Sequence, residues 1–234
     1  MQNLLMIPGL GSDYAVWART IAVLAADASC VIGDTLQDTS LEAMARRILA
    51  EAPQTFCLAG VSMGGMVALE IMRIAPERVV GLALVDTNAL PDTEEQAARR
   101  RAVNEAIRSG SGATGGSSLD YLVHPTAGES VRRELTEMGL RVGAETYVRQ
   151  NEAVLARQDL RPVLATIAVP CFVVVGEQDR MTPLALSVAI HEAVEGSQLH
   201  VIPDCSHLPP IEKPEVMADL LRALLARADV AAQR

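Results

Sequence analysis

A serine lies between glycines in the segment GVSMG, where Gly60 and Gly64 each stand two positions away from Ser62. An apolar segment typical of a strand precedes this motif, and an apolar pattern typical of a helix follows it. A sharp turn from strand to helix brings backbone segments close together, so it needs residues without side chains on both flanks. The motif in this context therefore predicts a hydroxyl held above the edge of a sheet as a nucleophile.

A serine hydroxyl needs a general base, and the base needs an acid that orients it. The chain has four histidines. His207 follows the last predicted strand in a proline-rich loop, at the sheet edge where open parallel sheets bind ligands, and is the predicted base. His124, in a segment without predicted strands, is the second candidate, for a role on the substrate side. His191 and His200 fall within a predicted helix and a predicted strand.

Three acidic residues compete for the orienting position. Asp179 follows the fifth predicted strand, and Asp86 follows the fourth. Both aspartates can reach the same sheet edge, and both satisfy the chain order of serine, acid and histidine. Asp179 is preferred, with Asp86 as the alternative and Glu177, in the same loop as Asp179, as a third option.

Six strand-like segments and amphipathic helical segments alternate along the chain, which predicts an α/β fold with a mostly parallel sheet covered on both faces. The alternation stops between residues 90 and 168, where only helical patterns occur. This interruption predicts a helical cap inserted between the fourth and fifth strands, on a core formed by residues 1–89 and 169–234. The glycine- and serine-rich segment 109–118 is predicted to be a mobile connector in the cap.

Two helix starts are predicted from capping patterns. Thr39 and Glu42 have the spacing of a capping box, and Thr182 followed by Pro183 is typical of an N-cap and the first helical residue.

Ser62, Asp179 and His207 in these sequence contexts resemble the α/β-hydrolase superfamily, and the resemblance covers almost the whole chain. It implies that the backbone N–H groups of Leu10 and Met63 form the oxyanion hole. This chain has Pro8-Gly9 where the family usually has His-Gly, but the donor belongs to the following residue and is retained. The two strands that commonly precede this loop in the family are absent here, so six strands are expected rather than eight.

The resemblance implies hydrolysis of a carboxylic ester, lactone or thioester of a small to medium apolar substrate through an acyl-enzyme. The same catalytic residues could also hydrolyse acyl amides or acyl-homoserine lactones. Two further alternatives use the same triad, a carbon–carbon bond hydrolase and a cofactor-free perhydrolase. A non-catalytic ligand-binding member of the family is a last alternative. No cofactor motif is present, and no metal is needed. The residues predicted to line the substrate pocket are Trp17, Met66, Tyr121, His124 and Tyr147.

Composition restricts the partners and the location. A formal net charge of −9 disfavours nucleic acid and anionic membranes, so a small-molecule substrate is the expected partner. The four cysteines have no metal-ligand spacing and are predicted to be free thiols in a reducing compartment, which indicates a cytoplasmic protein. The N-terminal segment lacks a basic region and is not expected to be a signal peptide. The sequence contains no pattern that indicates the oligomeric state.

Overall fold

A computed structural model describes residues 1–110 and 119–232 of the chain. Its centre is a six-stranded sheet in which every neighbouring pair is parallel, in the order β2-β1-β3-β4-β5-β6. The predicted α/β fold with six strands is therefore confirmed. The strands are β1 (Gln2–Ile7), β2 (Ala28–Ile32), β3 (Phe56–Val61), β4 (Val79–Val85), β5 (Cys171–Gly176) and β6 (Gln198–Ile202).

Helices cover both faces of this sheet. They are α1 (Ala15–Leu24), α2 (Leu41–Glu51), α3 (Met63–Ile74), α4 (Glu94–Arg108), α5 (Leu119–Leu122), α6 (Glu129–Val142), α7 (Ala144–Leu155), α8 (Arg161–Leu164), α9 (Leu184–Ala193), α10 (Pro209–Glu212) and α11 (Pro214–Ala232). A single 3-10 turn, Pro76–Arg78, precedes β4. In the parts of the chain that the structure describes, none of the helices is long and apolar enough to cross a membrane.

The strands bury both faces because successive side chains point to opposite sides of the sheet. Leu5 and Ile7 of β1 pack into one core cluster with α2, α3, α8 and α9. Leu4 and Met6 pack into the other cluster with α1 and α11. All six residues of β3 and of β5 are buried, which explains why these segments are apolar throughout.

Between β4 and β5 the described residues form helices α4 to α8 and no strand. The helical character agrees with the sequence pattern, whereas the division of the chain into core and cap stays a prediction. Most of the predicted mobile connector, residues 111–118, lies outside the described residues.

Both predicted helix starts are displaced by one residue. Ser40, not Thr39, is the N-cap of α2, and its hydroxyl accepts a hydrogen bond from the Ala43 N–H at 3.1 Å. Helix α9 begins only after Pro183, whose backbone is extended. Thr182 is therefore not a helix cap, and its side chain is used elsewhere.

The cysteines follow the predicted pattern of unpaired thiols. All four are free, and Cys57, Cys171 and Cys205 are buried in the core. Burial raises the pKa of Cys57 and of Cys171 to about 12, so these two thiols are poor nucleophiles.

Candidate active site

Ser62 occupies the turn between β3 and α3 in a strained backbone conformation, with φ 56° and ψ −119°. A positive φ is rare for a residue other than glycine and persists only where the surroundings enforce it. Two hydrogen bonds hold Ser62 in this conformation. The Ser62 N–H donates to the carbonyl of Val85 at 2.9 Å, and the Thr87 hydroxyl donates to the carbonyl of Ser62 at 2.6 Å. The end of β4 thus fixes the turn that presents the serine.

The glycines around Ser62 are required by close backbone contacts. A Cβ atom on Gly60 would lie 2.2 Å from the carbonyl oxygen of Gly64, and one on Gly64 would lie 2.2 Å from that of Ile7. Gly65 has no room either, since its Cβ would lie 2.5 Å from the Thr87 hydroxyl. The turn therefore accepts only glycine at these positions, for the reason that the sequence motif suggested.

Three side chains distant in sequence form one hydrogen-bonded chain. The Nε2 atom of His207 lies 2.9 Å from the Ser62 Oγ, and its Nδ1 atom lies 2.9 Å from the Oδ2 of Asp179. His207 and Asp179 are 4% and 5% exposed, so both contacts are shielded from solvent. This is the arrangement in which a base can remove a proton from a serine while an acid orients its ring.

The surroundings of Asp179 favour its ionised form, which suits that role. Its Oδ1 accepts the backbone N–H groups of Met181 and Thr182 at 2.7 and 3.1 Å, and its Oδ2 accepts the Thr182 hydroxyl at 2.5 Å. Burial acts to raise the pKa of Asp179, but the charge and hydrogen bond of His207, with hydrogen bonds from Asp86 and Thr182, outweigh it. The net result is a pKa well below the usual value, which favours the carboxylate.

The loop that carries His207 is fixed by one carboxylate and by helix α5. Glu212 accepts the N–H groups of Ser206 and Leu208, the residues on either side of His207, at 3.1 and 3.2 Å. The N–H of His207 itself donates to the carbonyl of Leu122 at 3.1 Å. The histidine backbone therefore has contacts on both the core and the segment between β4 and β5.

The two other candidate acids do not orient the histidine. Asp86 is fully buried, and its Oδ1 accepts the Gly176 N–H at 2.9 Å, while its Oδ2 has no hydrogen-bond donor among the described residues. Burial, together with the nearby charge of Asp179, raises the pKa of Asp86 well above its usual value. A protonated Asp86 can donate a hydrogen bond to Asp179. Glu177 is exposed, and its carboxylate accepts a hydrogen bond from Gln178.

Asp86, Asp179 and His207 also have ligand atoms within 4.8 Å of one another, a spacing that can hold a metal ion. Both ring nitrogens of His207 are already engaged, one with Ser62 and one with Asp179. A metal ion at this cluster would have to replace one of those contacts. The donor set therefore fits a hydrogen-bonded chain better than a metal site.

The two residues predicted to supply the oxyanion donors belong to the lining of one cavity. Leu10 and Met63 both line the cavity that contains Ser62, and Met63 is the first residue of α3, where backbone N–H groups are unpaired and the helix dipole is positive. Gly9 allows the loop after β1 to approach, since a Cβ there would lie 3.2 Å from the Cβ of Ser62. Gln150 of α7 fixes the same loop by accepting the Gly11 N–H at 2.8 Å.

A cavity of about 330 Å³ opens at Ser62 and His207. Its size is at the lower end of the range for ligand pockets, and most of the side chains in its wall are aliphatic or methionine. Met66 and Tyr147, two of the predicted pocket residues, line it. The other lining residues include Met138, Leu119, Leu122, Leu135, Leu140, Val142, Val154, Met181 and Leu208.

The other three predicted pocket residues, Trp17, Tyr121 and His124, are not among the described residues that line the cavity. Trp17 is fully buried in the core, where its indole N–H donates to the carbonyl of Ile7 at 3.1 Å. Tyr121 is 50% exposed and stacks under the guanidinium of Arg180 at 4.4 Å. Aromatic residues in amphipathic segments cannot be assigned to a face without the packing of the neighbouring helices.

His124 is close to the active-site loop but acts through its backbone. Its N–H donates to Glu212 at 2.6 Å, and its Nδ1 atom lies 2.7 Å from the Thr126 hydroxyl. The other two histidines lie apart from Ser62. His191 contacts Ser197 at 2.8 Å, and the ring of His200 packs on Phe172, where burial lowers its pKa.

Sequence reasoning missed Thr182, Gln150, Glu212 and Arg100 as residues of the site. Thr182 stands three residues after Asp179, a spacing at which a hydroxyl can reach back to an aspartate, and this signal was present in the sequence. Gln150, Glu212 and Arg100 lie on helices, and nothing in their local sequence distinguishes them from solvent-exposed residues.

Comparison with known proteins decides the family. A sequence model of the Alpha/beta hydrolase family matches residues 4–220. The chain belongs to this family. The predicted resemblance is therefore confirmed, and the protein is an α/β-hydrolase.

The α/β-hydrolase is similar to proteins named for the cleavage of lactones and esters. It is 24% identical to 3-oxoadipate enol-lactonase 1 of Acinetobacter baylyi, over 88% of this chain and 82% of that protein. It is 29% identical to the pimeloyl-[acyl-carrier protein] methyl ester esterase of Methylococcus capsulatus, over 82% and 78%. Among solved structures, a thermophilic esterase from Thermogutta terrifontis superposes with a TM-score of 0.88 and 26% identity, over 97% of this chain and 90% of that one.

Proposed function

We propose that this α/β-hydrolase cleaves a carboxylic ester or a lactone of small to medium size through an acyl-enzyme on Ser62. The observation that carries the proposal is the continuous chain of contacts from the Ser62 Oγ through His207 to Asp179, both 2.9 Å long, at the base of an apolar cavity. The names of the relatives, which describe enol-lactone and methyl ester cleavage, support the same bond type.

Acylation begins when His207 Nε2 takes the proton of the Ser62 hydroxyl as the oxygen attacks the substrate carbonyl carbon. The carbonyl π electrons move to oxygen and form an oxyanion. When this tetrahedral intermediate collapses, the bond to the alkoxy oxygen breaks and His207 returns the proton to that oxygen. An ester releases an alcohol at this step, and a lactone keeps the new hydroxyl on the acyl chain.

Deacylation repeats these steps with water. His207 removes a proton from the water molecule as its oxygen attacks the acyl carbon, and the proton is then given back to the Ser62 Oγ. The products are a carboxylic acid and the free serine. Asp179 stabilises the positive charge on the ring in both halves of the reaction, which suits its lowered pKa.

The oxyanion of both tetrahedral intermediates is expected to lie between the N–H groups of Leu10 and Met63. A donor placed in this way contributes roughly 3 kcal/mol to the stability of the transition state. Two observations support this placement: both residues line the cavity that contains Ser62, and the loop after β1 approaches the serine closely at Gly9.

The test is a panel of short p-nitrophenyl esters, aliphatic lactones and acyl anilides, measured with the wild-type protein and with Ser62→Ala. We expect turnover of esters and lactones by the wild type, much slower turnover of anilides, and none above background by the variant. If the wild type turns over anilides fastest, or esters and lactones not at all, the proposed bond type is wrong.

A further inference from the structure

One arginine, Arg100 of α4, takes part in the otherwise uncharged wall of the cavity. Among the described residues that line the cavity there is no other arginine or lysine, and no aspartate or glutamate. The other ionisable side chains among the described residues of this lining are those of His207 and Tyr147. A permanently charged group beside leucine, valine and methionine side chains is unfavourable unless something compensates for it.

Arg100 is held in place and is not a freely moving surface side chain. Its Nε donates to Asp92 at 2.7 Å, and one terminal nitrogen donates to the Oδ1 of Asn151 at 2.7 Å. The amide of Asn151 in turn donates to the carbonyl of Arg100 and to Asn104, at 3.2 and 2.7 Å. The other terminal nitrogen makes no hydrogen bond to the residues that the structure describes, and it remains available as a donor.

The charge of Arg100 is not balanced by its partner. Asp92 is shared with a second arginine, Arg157, whose terminal nitrogen lies 2.7 Å from the other carboxylate oxygen. The side chains of Arg157 and Asp92 are 1% and 5% exposed, so this pair is already closed off from solvent. The further contacts of Arg157 are with the carbonyls of Leu90 and Val154, which carry no net charge. Arg100, Asp92 and Arg157 thus form a cluster of two guanidinium groups and one carboxylate. This cluster has a net charge of one positive unit beside the cavity.

We infer that Arg100 binds a carboxylate that the substrate carries away from its reacting carbonyl. A single carboxylate neutralises the one positive charge of the cluster, whereas a phosphate dianion would exceed it. The apolar wall then contacts the carbon chain between the two ends. The inference rests on the proposed function. It restricts the preferred substrates to half-esters of dicarboxylic acids or to lactones that bear a carboxylate.

The experiment compares the hydrolysis of methyl esters of matched chain length, and the rate is measured from the protons that hydrolysis releases. The pairs are monomethyl succinate, glutarate and adipate against methyl butyrate, valerate and hexanoate. We expect the wild type to prefer the carboxylate-bearing ester of at least one pair. In Arg100→Gln this preference, the ratio of the two kcat/KM values, should fall about tenfold or more, mainly through KM, because a charge-assisted hydrogen bond is lost.

Arg99→Gln is the matched control, since Arg99 is the adjacent residue of the same helix and its side chain is 77% exposed. The preference of this control should stay within about twofold of the wild type. If Arg100→Gln lowers kcat/KM equally for both esters of a pair, Arg100 has only a structural role. If the wild type shows no preference for any carboxylate-bearing ester, the inference is also overturned.

Binding without turnover separates this inference from the proposed function. The affinity of Ser62→Ala for the preferred half-ester, its neutral partner and methyl phosphate is measured by calorimetry. The half-ester should bind most tightly, and Arg100→Gln in the same background should remove the difference. Tighter binding of methyl phosphate would overturn the carboxylate assignment. If the half-ester binds in this way but the wild type hydrolyses none of the esters, only the proposed reaction is contradicted.

Discussion

Two buried aspartates lie close together at the active site, and their surroundings shift their pKa values in opposite directions. Asp179 accepts hydrogen bonds from His207, Thr182 and Met181, which stabilise its carboxylate. Asp86 has one backbone donor, and burial next to Asp179 favours its neutral form. Two carboxylates this close do not both ionise readily, so the neutral form is the more favourable one for Asp86.

Asparagine substitutions at the two positions should therefore have unequal effects on catalysis. Asp179→Asn should lower kcat on an activated ester by about 10³ to 10⁴, because an amide favours the wrong tautomer of His207. Asp86→Asn should lower kcat less than about tenfold, since an amide has the shape and the donor capacity of the neutral acid. Steady-state kinetics of both variants provides the comparison, and a larger loss in Asp86→Asn would transfer the orienting role to Asp86.

The protonation of Asp86 also predicts how stability depends on pH. A carboxyl group whose pKa is raised by folding contributes stability below its unfolded pKa of about 3.9, and this contribution is lost as pH rises toward the folded pKa. Asparagine does not titrate. The stability of Asp86→Asn relative to the wild type should therefore increase as pH is raised above about 4, until the raised folded pKa of Asp86 is passed.

Urea unfolding at several pH values measures this difference. Asp86→Ala serves as the control, since it also cannot titrate but leaves the Gly176 N–H without its acceptor. The free energy of unfolding of Asp86→Ala should be lower than that of Asp86→Asn, by the same amount at every pH. A wild-type protein that gains stability relative to Asp86→Asn with rising pH would mean that Asp86 is ionised in the folded state.

At the scale of elements, the junction of β3 and α3 is the most restricted part of the fold. Strand β3 lies between β1 and β4, and helix α3 must turn back across the sheet directly after Ser62. The backbone of Gly64 consequently lies against the carbonyl of Ile7 at the end of β1. The turn that presents the serine is therefore packed directly against a neighbouring strand of the core.

Alanine at Gly64 should destabilise the protein by about 2 kcal/mol or more, because the added methyl group meets backbone atoms that cannot move independently. Gly139→Ala is the matched control. Gly139 lies within α6, and a Cβ there would meet nothing within 4 Å, so alanine should be neutral or raise stability by up to about 1 kcal/mol. Urea unfolding of both variants makes the comparison, and an equal effect would remove the steric argument for the motif.

The elements themselves were largely predictable, because burial on both faces forces apolar sequence on strands such as β3 and β5. The boundaries of the helices were less predictable. Thr39 and Ser40 are both capable N-caps, and only the path of the preceding chain decides that Ser40 takes the position. Thr182 has the local pattern of a cap as well, but its hydroxyl binds Asp179 because the two lie in the same buried loop.

At the scale of the whole molecule, the parallel sheet explains why the three residues of the hydrogen-bonded chain could be predicted to lie together and the lining of the cavity could not. Ser62, Asp179 and His207 each follow a strand, and strands that are all parallel end at one edge. The cavity wall instead depends on how α4, α6 and α7 pack on that edge. No local pattern distinguishes Arg100, which faces the cavity, from Arg99 and Arg101 beside it.

The central claim is that folding joins these three separate segments to activate one serine. The direct measurement is covalent labelling with a fluorophosphonate, with the modified residue located by mass spectrometry. We predict stoichiometric labelling at Ser62 in the folded protein, and none in Ser62→Ala, in His207→Ala or in urea. Ser12→Ala, which removes another hydroxyl that lines the cavity, should label normally. Labelling at a different residue, or undiminished labelling of Ser62 in His207→Ala, would contradict the account.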